Sequence, residues 1–220
     1  MDKDIFNEGN LFEPVNEKVY RYLYEAIINL EYRPSSVLVE SKIADDLHIS
    51  RSPVKAALER LETQNLVERP YGRSPRVAGI QYDDCAALLE ARRGIEGWAA
   101  YYAASRITGE ELDRLHGALL QFQIKEKIPS ADDYARADAY FHEIIIHSSR
   151  SRYLIDANGL IQANLLRYRI CIMRQLDIAL LHEYEHHLPV YYALKNRCST
   201  LAQEEIIASI DHMTAAMRYL

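Results

Sequence analysis

Hydrophobic residues recur every three to four positions along most of this chain, which is the spacing of one buried face of an α-helix. In the first 80 residues the pattern predicts a helix, a short strand, two further helices and a β-hairpin, at about 16–30, 37–39, 40–47, 51–65 and 66–78. A tight turn joins the two central helices, and the hairpin follows them directly. That order of elements predicts a winged helix-turn-helix over residues 1–79.

The pattern becomes purely helical after residue 80. It predicts six amphipathic helices, at about 83–106, 109–127, 131–147, 152–181, 184–196 and 200–219. No alternating strand pattern interrupts them, so residues 80–220 are predicted to form an all-α bundle. The predicted fold class is therefore mainly α, with an N-terminal winged helix-turn-helix followed by a six-helix bundle. We expect Trp98, the only tryptophan, in the core of this bundle.

The composition is that of a globular chain. Of 220 residues, 49% are hydrophobic and 26% are charged, which suffices for one large or two small cores. No apolar run approaches the roughly 20 residues of a membrane span, and the first residues lack the basic-then-apolar pattern of a signal peptide. Cys85, Cys171 and Cys198 are far apart and form no zinc-finger or disulfide pattern. We therefore expect a cytoplasmic protein with reduced thiols and no membrane partner.

Charge is distributed unevenly along the chain. The whole chain has a formal net charge of -6, which argues against a protein that coats nucleic acid. Residues 41–79, in contrast, contain seven Lys or Arg against five Asp or Glu, a surplus of two positive charges. Such a small surplus predicts a modest affinity of one domain for phosphates, so we expect the protein to bind nucleic acid as a dimer.

The N-terminal end of the third predicted helix, which we call the helix tip, has residues suited to contact DNA. Ser50, Arg51, Ser52 and Lys55 lie off the hydrophobic stripe of this helix, at its N-terminal end. Arg51 can donate two hydrogen bonds to a guanine edge, and both serines suit phosphate contacts near a helix N-terminus. A surface helix also carries such residues merely because water solvates them, and it is their place in a helix-turn-helix that favours DNA.

The turn of the hairpin offers a second contact. Gly72 allows the backbone to approach a partner closely, and Arg73 and Arg76 flank it. We therefore expect Gly72 and Arg73 to contact DNA beside the helix tip.

The helix tip and the strand after it carry a recognisable motif. Residues 49–58 read Ile-Ser-Arg-Ser-Pro-Val-Lys-Ala-Ala-Leu, and Leu-Val-Glu-Arg follows at 66–69. With these motifs the chain resembles the GntR family of bacterial transcription regulators over about residues 15–78. The resemblance implies contacts to double-stranded DNA from Ser50, Arg51, Ser52, Lys55 and Gly72. The chain departs from the family at Ser41, where some relatives have a DNA-contacting arginine.

Acidic and histidine side chains recur at chelating spacing in the second half. Asp138 and His142 are four residues apart on one face of a predicted helix, a spacing that can hold one cation. His186 or His187 and then His212 follow on two later helices, so one Asp and up to three His can converge inside a bundle. The plainer interpretation is that Asp138 and His142 form a surface hydrogen bond.

The same half resembles the FCD ligand-binding domain of FadR-type GntR regulators, from about residue 82 to the end. The resemblance rests on Glu-Ala-Arg-Arg-Gly-Ile-Glu at 90–96, on Asp138 and His142, and on His187-x-x-Val-x-x-Ala-Leu. It implies a divalent metal such as Zn, Ni or Mn, held by one Asp and three His, with a small organic acid docked beside it. Asp138, His142 and His187 match three of these ligands.

The resemblance leaves the fourth ligand open. The family's usual spacing from His187 leads to Ser209, and His212 lies one helical turn later. Either a longer loop before the last helix brings His212 into the site, or the fourth ligand is absent. Arg92 matches an arginine in the family's first helix, and the resemblance implies that its two-pronged guanidinium binds the acid.

Three functions compete at this point. The leading one is a homodimeric transcription regulator, not an enzyme, that binds a palindromic operator and responds to a small carboxylate or a divalent metal. The alternative is a helical-bundle metalloenzyme, but the Glu-x-x-His at 183–186 has no second copy with the right spacing. The third is a winged helix that binds protein, and the basic helix tip argues against it.

Overall fold

The computed structural model describes residues 13–123, 130–174 and 183–216. Within them, the elements in chain order are α1 (Val15–Ile28), α2 (Glu40–Asp46), α3 (Arg51–Thr63), β1 (Val67–Glu68), β2 (Arg76–Val77), α4 (Tyr82–Arg106), α5 (Gly109–Gln123), α6 (Ala131–Ser148), α7 (Arg152–Met173), α8 (Glu183–Lys195) and α9 (Ser199–Ala216). The chain divides into two compact units, Met1–Ile80 and Gln81–Leu220.

Helices α1 and α3 pack against each other because each has one hydrophobic face. Val19, Leu23 and Ile27 of α1 and Leu58 and Leu61 of α3 have no exposed surface. Burial of one such side chain contributes about 1.5–3 kcal/mol. This shared core fixes α3 in the first unit and leaves its opposite face to solvent.

The sheet of the first unit consists of a short hairpin. Strands β1 and β2 are antiparallel, with Val67 opposite Val77 and Glu68 opposite Arg76. The predicted strand at 37–39 is reduced to a single antiparallel bridge between Val37 and Arg76. We call residues 69–75, which connect β1 to β2, the wing.

The turn between α2 and α3 places the N-terminus of α3 at the surface. His48 has a φ of 55°, which reverses the chain direction after α2. Ser50 precedes α3 in an extended conformation, with a φ of -72° and a ψ of 162°. Pro53 lies in the first turn of α3, where its missing N–H leaves no helical hydrogen bond unmade.

Helix α4 packs against α6, α7 and α9 in the second unit. In the C-terminal half of α4 the buried residues are small and include Ala99, Ala100 and Ala103. A Cβ atom at Gly97 would lie only 3.1 Å from Cδ1 of Ile207 on α9. Small side chains therefore allow α9 to lie close along α4.

A reciprocal pair of side chains determines where α5 begins. The backbone N–H of Thr108 donates to Oε2 of Glu111 at 3.0 Å, and the N–H of Glu111 donates to Oγ1 of Thr108 at 3.2 Å. This is a capping box, which satisfies N–H groups that have no partner inside the helix.

The predicted fold class is confirmed, because a winged helix-turn-helix precedes six helices in the described part of the chain. The predicted helix ends at 124–127, 175–181 and 217–219 lie outside the described residues. The prediction for Trp98 was wrong: its side chain is 50% exposed and contacts the ring of Tyr101, with 5.6 Å between centroids. Among the described residues, no helix combines the length and the apolar character needed to cross a membrane.

Candidate DNA-binding surface and candidate metal centre

A depression of about 440 Å³ opens where the tip of α3 faces the wing. Its lining includes Arg51 of α3, Arg69 and Arg73 of the wing, and Ser41 at the start of α2. Gly72, also in the lining, has a φ of 67° and nothing within 4 Å of the position of a Cβ atom. The wing backbone is therefore open to close approach by a partner, beside three guanidinium groups.

All the residues predicted to contact DNA are exposed: Ser50, Arg51, Ser52, Lys55, Gly72 and Arg73. Three of them line the depression, and the others lie on α3 or directly before it. Lys55 has its Nζ 3.9 Å from the carboxylate of Glu59, one turn further along α3. Arg76, which the sequence also places near the wing glycine, is bonded instead to Glu68 at 2.8 Å.

Arg69 is a basic residue of this surface that sequence reasoning missed. Its Nε donates to Oε2 of Glu62 at 3.2 Å, and its Nη1 lies 3.4 Å from Oε1 of Glu40. The two carboxylates hold the guanidinium in the wall that also contains Ser41. The sequence gives no signal for this position, because the contact with Glu40 joins residues that are 29 positions apart.

Three buried donor atoms meet inside the second unit. Nε2 of His142 lies 3.2 Å from Nε2 of His187. Oδ1 of Asp138 lies 3.4 Å from the first nitrogen and 3.2 Å from the second. A tetrahedral ion with bonds of about 2.0–2.1 Å separates its ligand atoms by about 3.3 Å. The three atoms, which we call the donor triangle, therefore have the spacing of one face of a metal coordination shell.

Charged residues contact His142 and Asp138 through the atoms that lie outside the donor triangle. Oε2 of Glu96, on α4, lies 2.6 Å from Nδ1 of His142, the ring nitrogen that points away from the triangle. Nε of Arg92 donates to Oε1 of the same Glu96 at 2.7 Å. Arg169 of α7 pairs with the outer carboxylate oxygen of Asp138. Partners of this kind fix the orientation of metal ligands.

The buried charges shift the protonation of the cluster. Burial lowers the pKa of His187 to about 4, which outweighs the opposite effect of Asp138. Burial alone would raise the pKa of Asp138, but the positive charge of Arg169 reverses this and holds it well below its usual value. Burial likewise opposes ionisation of Glu96, and Arg92 and His142 again hold the pKa below its usual value. At neutral pH the cluster contains ionised carboxylates and a neutral His187, the forms that bind metals.

His212 does not belong to the group of candidate ligands that the described residues bring together, and its role as the fourth ligand stays a prediction. The group of candidate ligands among the described residues contains Asp138, His142 and His187. The ring of His212 stacks on His186, with 3.5 Å between the centroids. Ser209, where the family spacing leads, is buried. The three residues fit a divalent cation such as Zn, Ni or Mn, with three protein ligands rather than four.

Two family profiles match this chain. The profile described as bacterial regulatory proteins, gntR family, matches residues 15–77. The FCD domain profile matches residues 87–212, more than half of the chain. The chain belongs to the GntR family and contains an FCD domain. It is therefore a DNA-binding transcription regulator whose second domain is of an effector-binding type.

The chain matches known transcription regulators over nearly their whole length. The chain is 24% identical to the HTH-type transcriptional repressor RspR of Escherichia coli K12 over 213 residues, which covers 96% of this chain and 92% of the relative. It is 28% identical to the uncharacterized HTH-type transcriptional regulator YcbG of Bacillus subtilis 168, with 88% and 84% covered. The families and relatives are all transcription regulators, which confirms the prediction that this chain is not an enzyme.

Solved structures share the fold. E. coli McbR/YncC superposes with a TM-score of 0.80 at 18% identity and covers 94% of this chain and 99% of its own. A GntR-type regulator from Rhodococcus sp. RHA1 gives a TM-score of 0.75 at 22% identity, with 93% and 97% covered. At these identities the likeness shows the fold alone. It does not identify the effector.

Proposed function

We propose that this regulator binds a palindromic operator as a homodimer in the cytoplasm and that a small molecule bound in its FCD domain controls the affinity. The observation that carries the DNA part is the depression between α3 and the wing, with Arg51, Arg69 and Arg73 in its lining. Arginines at such a site pair with phosphates or with guanine edges. A dimer doubles the surplus of two positive charges in residues 41–79.

Arg51 is proposed to read bases, and the flanking residues to hold the backbone. Arg51 lies at the exposed N-terminus of α3, where a recognition helix presents side chains to the major groove. Ser50, Ser52 and Lys55 are exposed on the same turns and suit phosphate contacts. Gly72 and Arg73 are proposed to contact the DNA from the wing.

The effector part is carried by the donor triangle. We propose that Asp138, His142 and His187 hold one divalent cation, Zn, Ni or Mn, and that a small organic acid binds beside it. Arg92 is the proposed partner of the acid. Because its Nε already donates to Glu96, the acid would bind through the terminal nitrogens of the guanidinium.

A gel-shift experiment tests the DNA part. Purified protein is titrated against a palindromic fragment from the region upstream of its own gene, at low salt, with and without Zn²⁺ and small carboxylic acids. We expect retardation by the wild type and a loss of roughly 5- to 150-fold in Arg51→Ala, because one bidentate base contact is worth about 1–3 kcal/mol.

Arg60→Ala is the matched control for this experiment. Arg60 lies at the other end of the same helix and pairs with Glu17 at 2.9 Å, away from the depression. It should bind like the wild type. Equal binding by the Arg51 and Arg60 variants, or no retardation of any upstream fragment under these conditions, would contradict the proposal.

A further inference from the structure

Glu96 bridges the proposed acid partner and the donor triangle. One of its carboxylate oxygens accepts a hydrogen bond from Nε of Arg92, and the other lies 2.6 Å from Nδ1 of His142. The side chain is almost completely buried, with 3% of the residue exposed. Neither the spacing of ligands nor the family resemblance assigned it a role.

The short distance to His142 determines which ring nitrogen carries the proton. An ionised carboxylate only accepts hydrogen bonds, and a ring nitrogen without a proton also only accepts. The two atoms can lie 2.6 Å apart only with a proton between them, which places a proton of His142 on Nδ1, toward Glu96. In the neutral form of the ring, Nε2 then has a free lone pair, and Nε2 is the atom that belongs to the donor triangle.

The opposite tautomer would close the site. With its proton on Nε2, His142 would donate into the triangle, either to Nε2 of His187 or to Oδ1 of Asp138. A hydrogen atom would then occupy the space between donor atoms that a cation needs. A proton on Nε2 of His142 therefore competes with a cation for the donor triangle.

We propose that Glu96 is the positioning residue of the cation centre: it keeps Nε2 of His142 available as a ligand, and its pair with Arg92 connects that ligand to the acid partner. The connection has a direct physical basis. Arg92 and His142 share one carboxylate, so an acid that draws the guanidinium of Arg92 away changes how strongly Glu96 holds the His142 proton. This proposal rests on the proposed cation site.

Glu96→Gln is an informative substitution because glutamine offers one acceptor where glutamate offers two. The charged Arg92 would take the amide oxygen, which turns the amide NH₂ toward His142. Nδ1 of His142 must then accept, and the ring proton moves to Nε2. Loss of such a supporting partner typically costs 10- to 100-fold in metal affinity.

The experiment measures Zn²⁺ and Ni²⁺ affinity of the full-length, metal-free chain by titration calorimetry with a competing chelator. We expect Glu96→Gln to bind about 10- to 100-fold more weakly than the wild type. Glu90→Gln is the matched control, an exposed glutamate on the same helix, and it should bind like the wild type. Equal affinity in Glu96→Gln and wild type would overturn this inference while the proposed cation site stands. A wild type that binds neither metal would overturn the proposed cation site, and this inference with it.

A second measurement needs no variant at Glu96 and so does not depend on its folding. Nitrogen-15 NMR of histidine-labelled, metal-free wild type distinguishes the two ring tautomers, and the His142 signals are identified by their absence in His142→Gln. We expect the proton on Nδ1 and a bare Nε2. A proton on Nε2 would overturn the proposal even if the metal affinity of Glu96→Gln were reduced, because the reduction would then have another structural cause.

Discussion

Nε2 of His142, on α6, and Nε2 of His187, on α8, lie 3.2 Å apart in the interior of the second unit. Two protonated imidazoles cannot face each other at this distance, and the lowered pKa of His187 keeps its ring neutral at pH 7. The contact needs either a hydrogen atom that one neutral ring donates to the other, or a cation bound to both nitrogens. Substitution of either histidine tests which of the two lies between them.

Removal of either histidine should remove the cation. We expect His142→Gln and His187→Gln to lose more than about 100-fold in Zn²⁺ affinity, beyond the effect of a supporting residue, because a ligand itself is lost. His147→Gln serves as the control, since His147 lies on the same helix but its side chain is 55% exposed. Metal content per chain after dialysis measures the result. One Zn²⁺ per chain retained by both buried variants would exclude the donor triangle as the site.

His212 should be dispensable for cation binding, whereas Ser209 should be a place to improve it. His212 stacks on His186, so His212→Ala is expected to leave the Zn²⁺ affinity within about twofold of the wild type. Ser209→His would restore a fourth nitrogen at the position given by the family spacing and should raise the affinity at least about tenfold. Chelator competition measures both. A large loss in His212→Ala would show that the last helix has a different register in solution.

Arg69 should contribute to DNA binding without contributing to base preference. Arg69→Ala is expected to remove one phosphate interaction, which lowers the slope of log affinity against log salt by about 0.9, equally for every DNA sequence. Arg76→Ala is the matched control, since Arg76 belongs to the same hairpin but is bonded to Glu68. Fluorescence anisotropy at several salt concentrations gives the slopes, and thermal melts confirm folding. Unchanged slopes in Arg69→Ala would assign Arg69 to holding α2 and α3 only.

The metal-free chain should lose stability as the pH falls from about 6.5 to 4. The pKa of His187 is near 6.5 in the unfolded chain and about 4 in the folded chain. Between these two pH values the unfolded chain binds a proton at His187 and the folded chain does not. The free energy of unfolding then falls with decreasing pH, by on the order of 3 kcal/mol in total. Asp138 and Glu96, whose pKa values are held low, add to the loss only below about pH 4, where unfolded carboxylates protonate.

Urea unfolding followed by circular dichroism at pH 7.5, 6.0 and 5.0 measures this dependence. His187→Asn removes the titrating ring and should show a flatter dependence over the same range, even if its stability at pH 7.5 is lower. Equal wild-type stability at pH 7.5 and 5.0 would refute the assignment of a neutral, buried His187.

Features that depend on one helix or one hairpin could be predicted from the sequence. The i,i+4 spacing of Asp138 and His142 puts both on one face of α6 whatever surrounds it. The exposed Arg51 follows from its position off the hydrophobic stripe of α3. Gly72 reaches a left-handed conformation because a tight turn requires it. In each case the geometry is set within a few residues.

Features that depend on how distant helices meet could not be predicted. Glu96 precedes His142 by 46 positions, and only the packing of α4 on α6 brings them together. His212 was predicted from its residue type and from the family resemblance, and how its helix packs, with the His212 ring on His186, could not be read from the sequence. Trp98 was expected in the core, yet the close contacts of α4 are made by alanines and a glycine. Residue type and local spacing do not fix helix rotation.

The glycine at position 97 has a further consequence because it directly follows Glu96. A Cβ atom there would lie 3.1 Å from Cδ1 of Ile207 of α9, so either the Ile207 side chain gives way or α4 shifts and moves the neighbouring carboxylate. A saturation mutagenesis screen of this helix should therefore find that Glu96 and Gly97 both tolerate few substitutions. Gly97 lacks space for a side chain, and Glu96 shares its charge between Arg92 and His142. A redesign of the ligand specificity of this domain should therefore keep this turn of α4 unchanged and alter residues elsewhere.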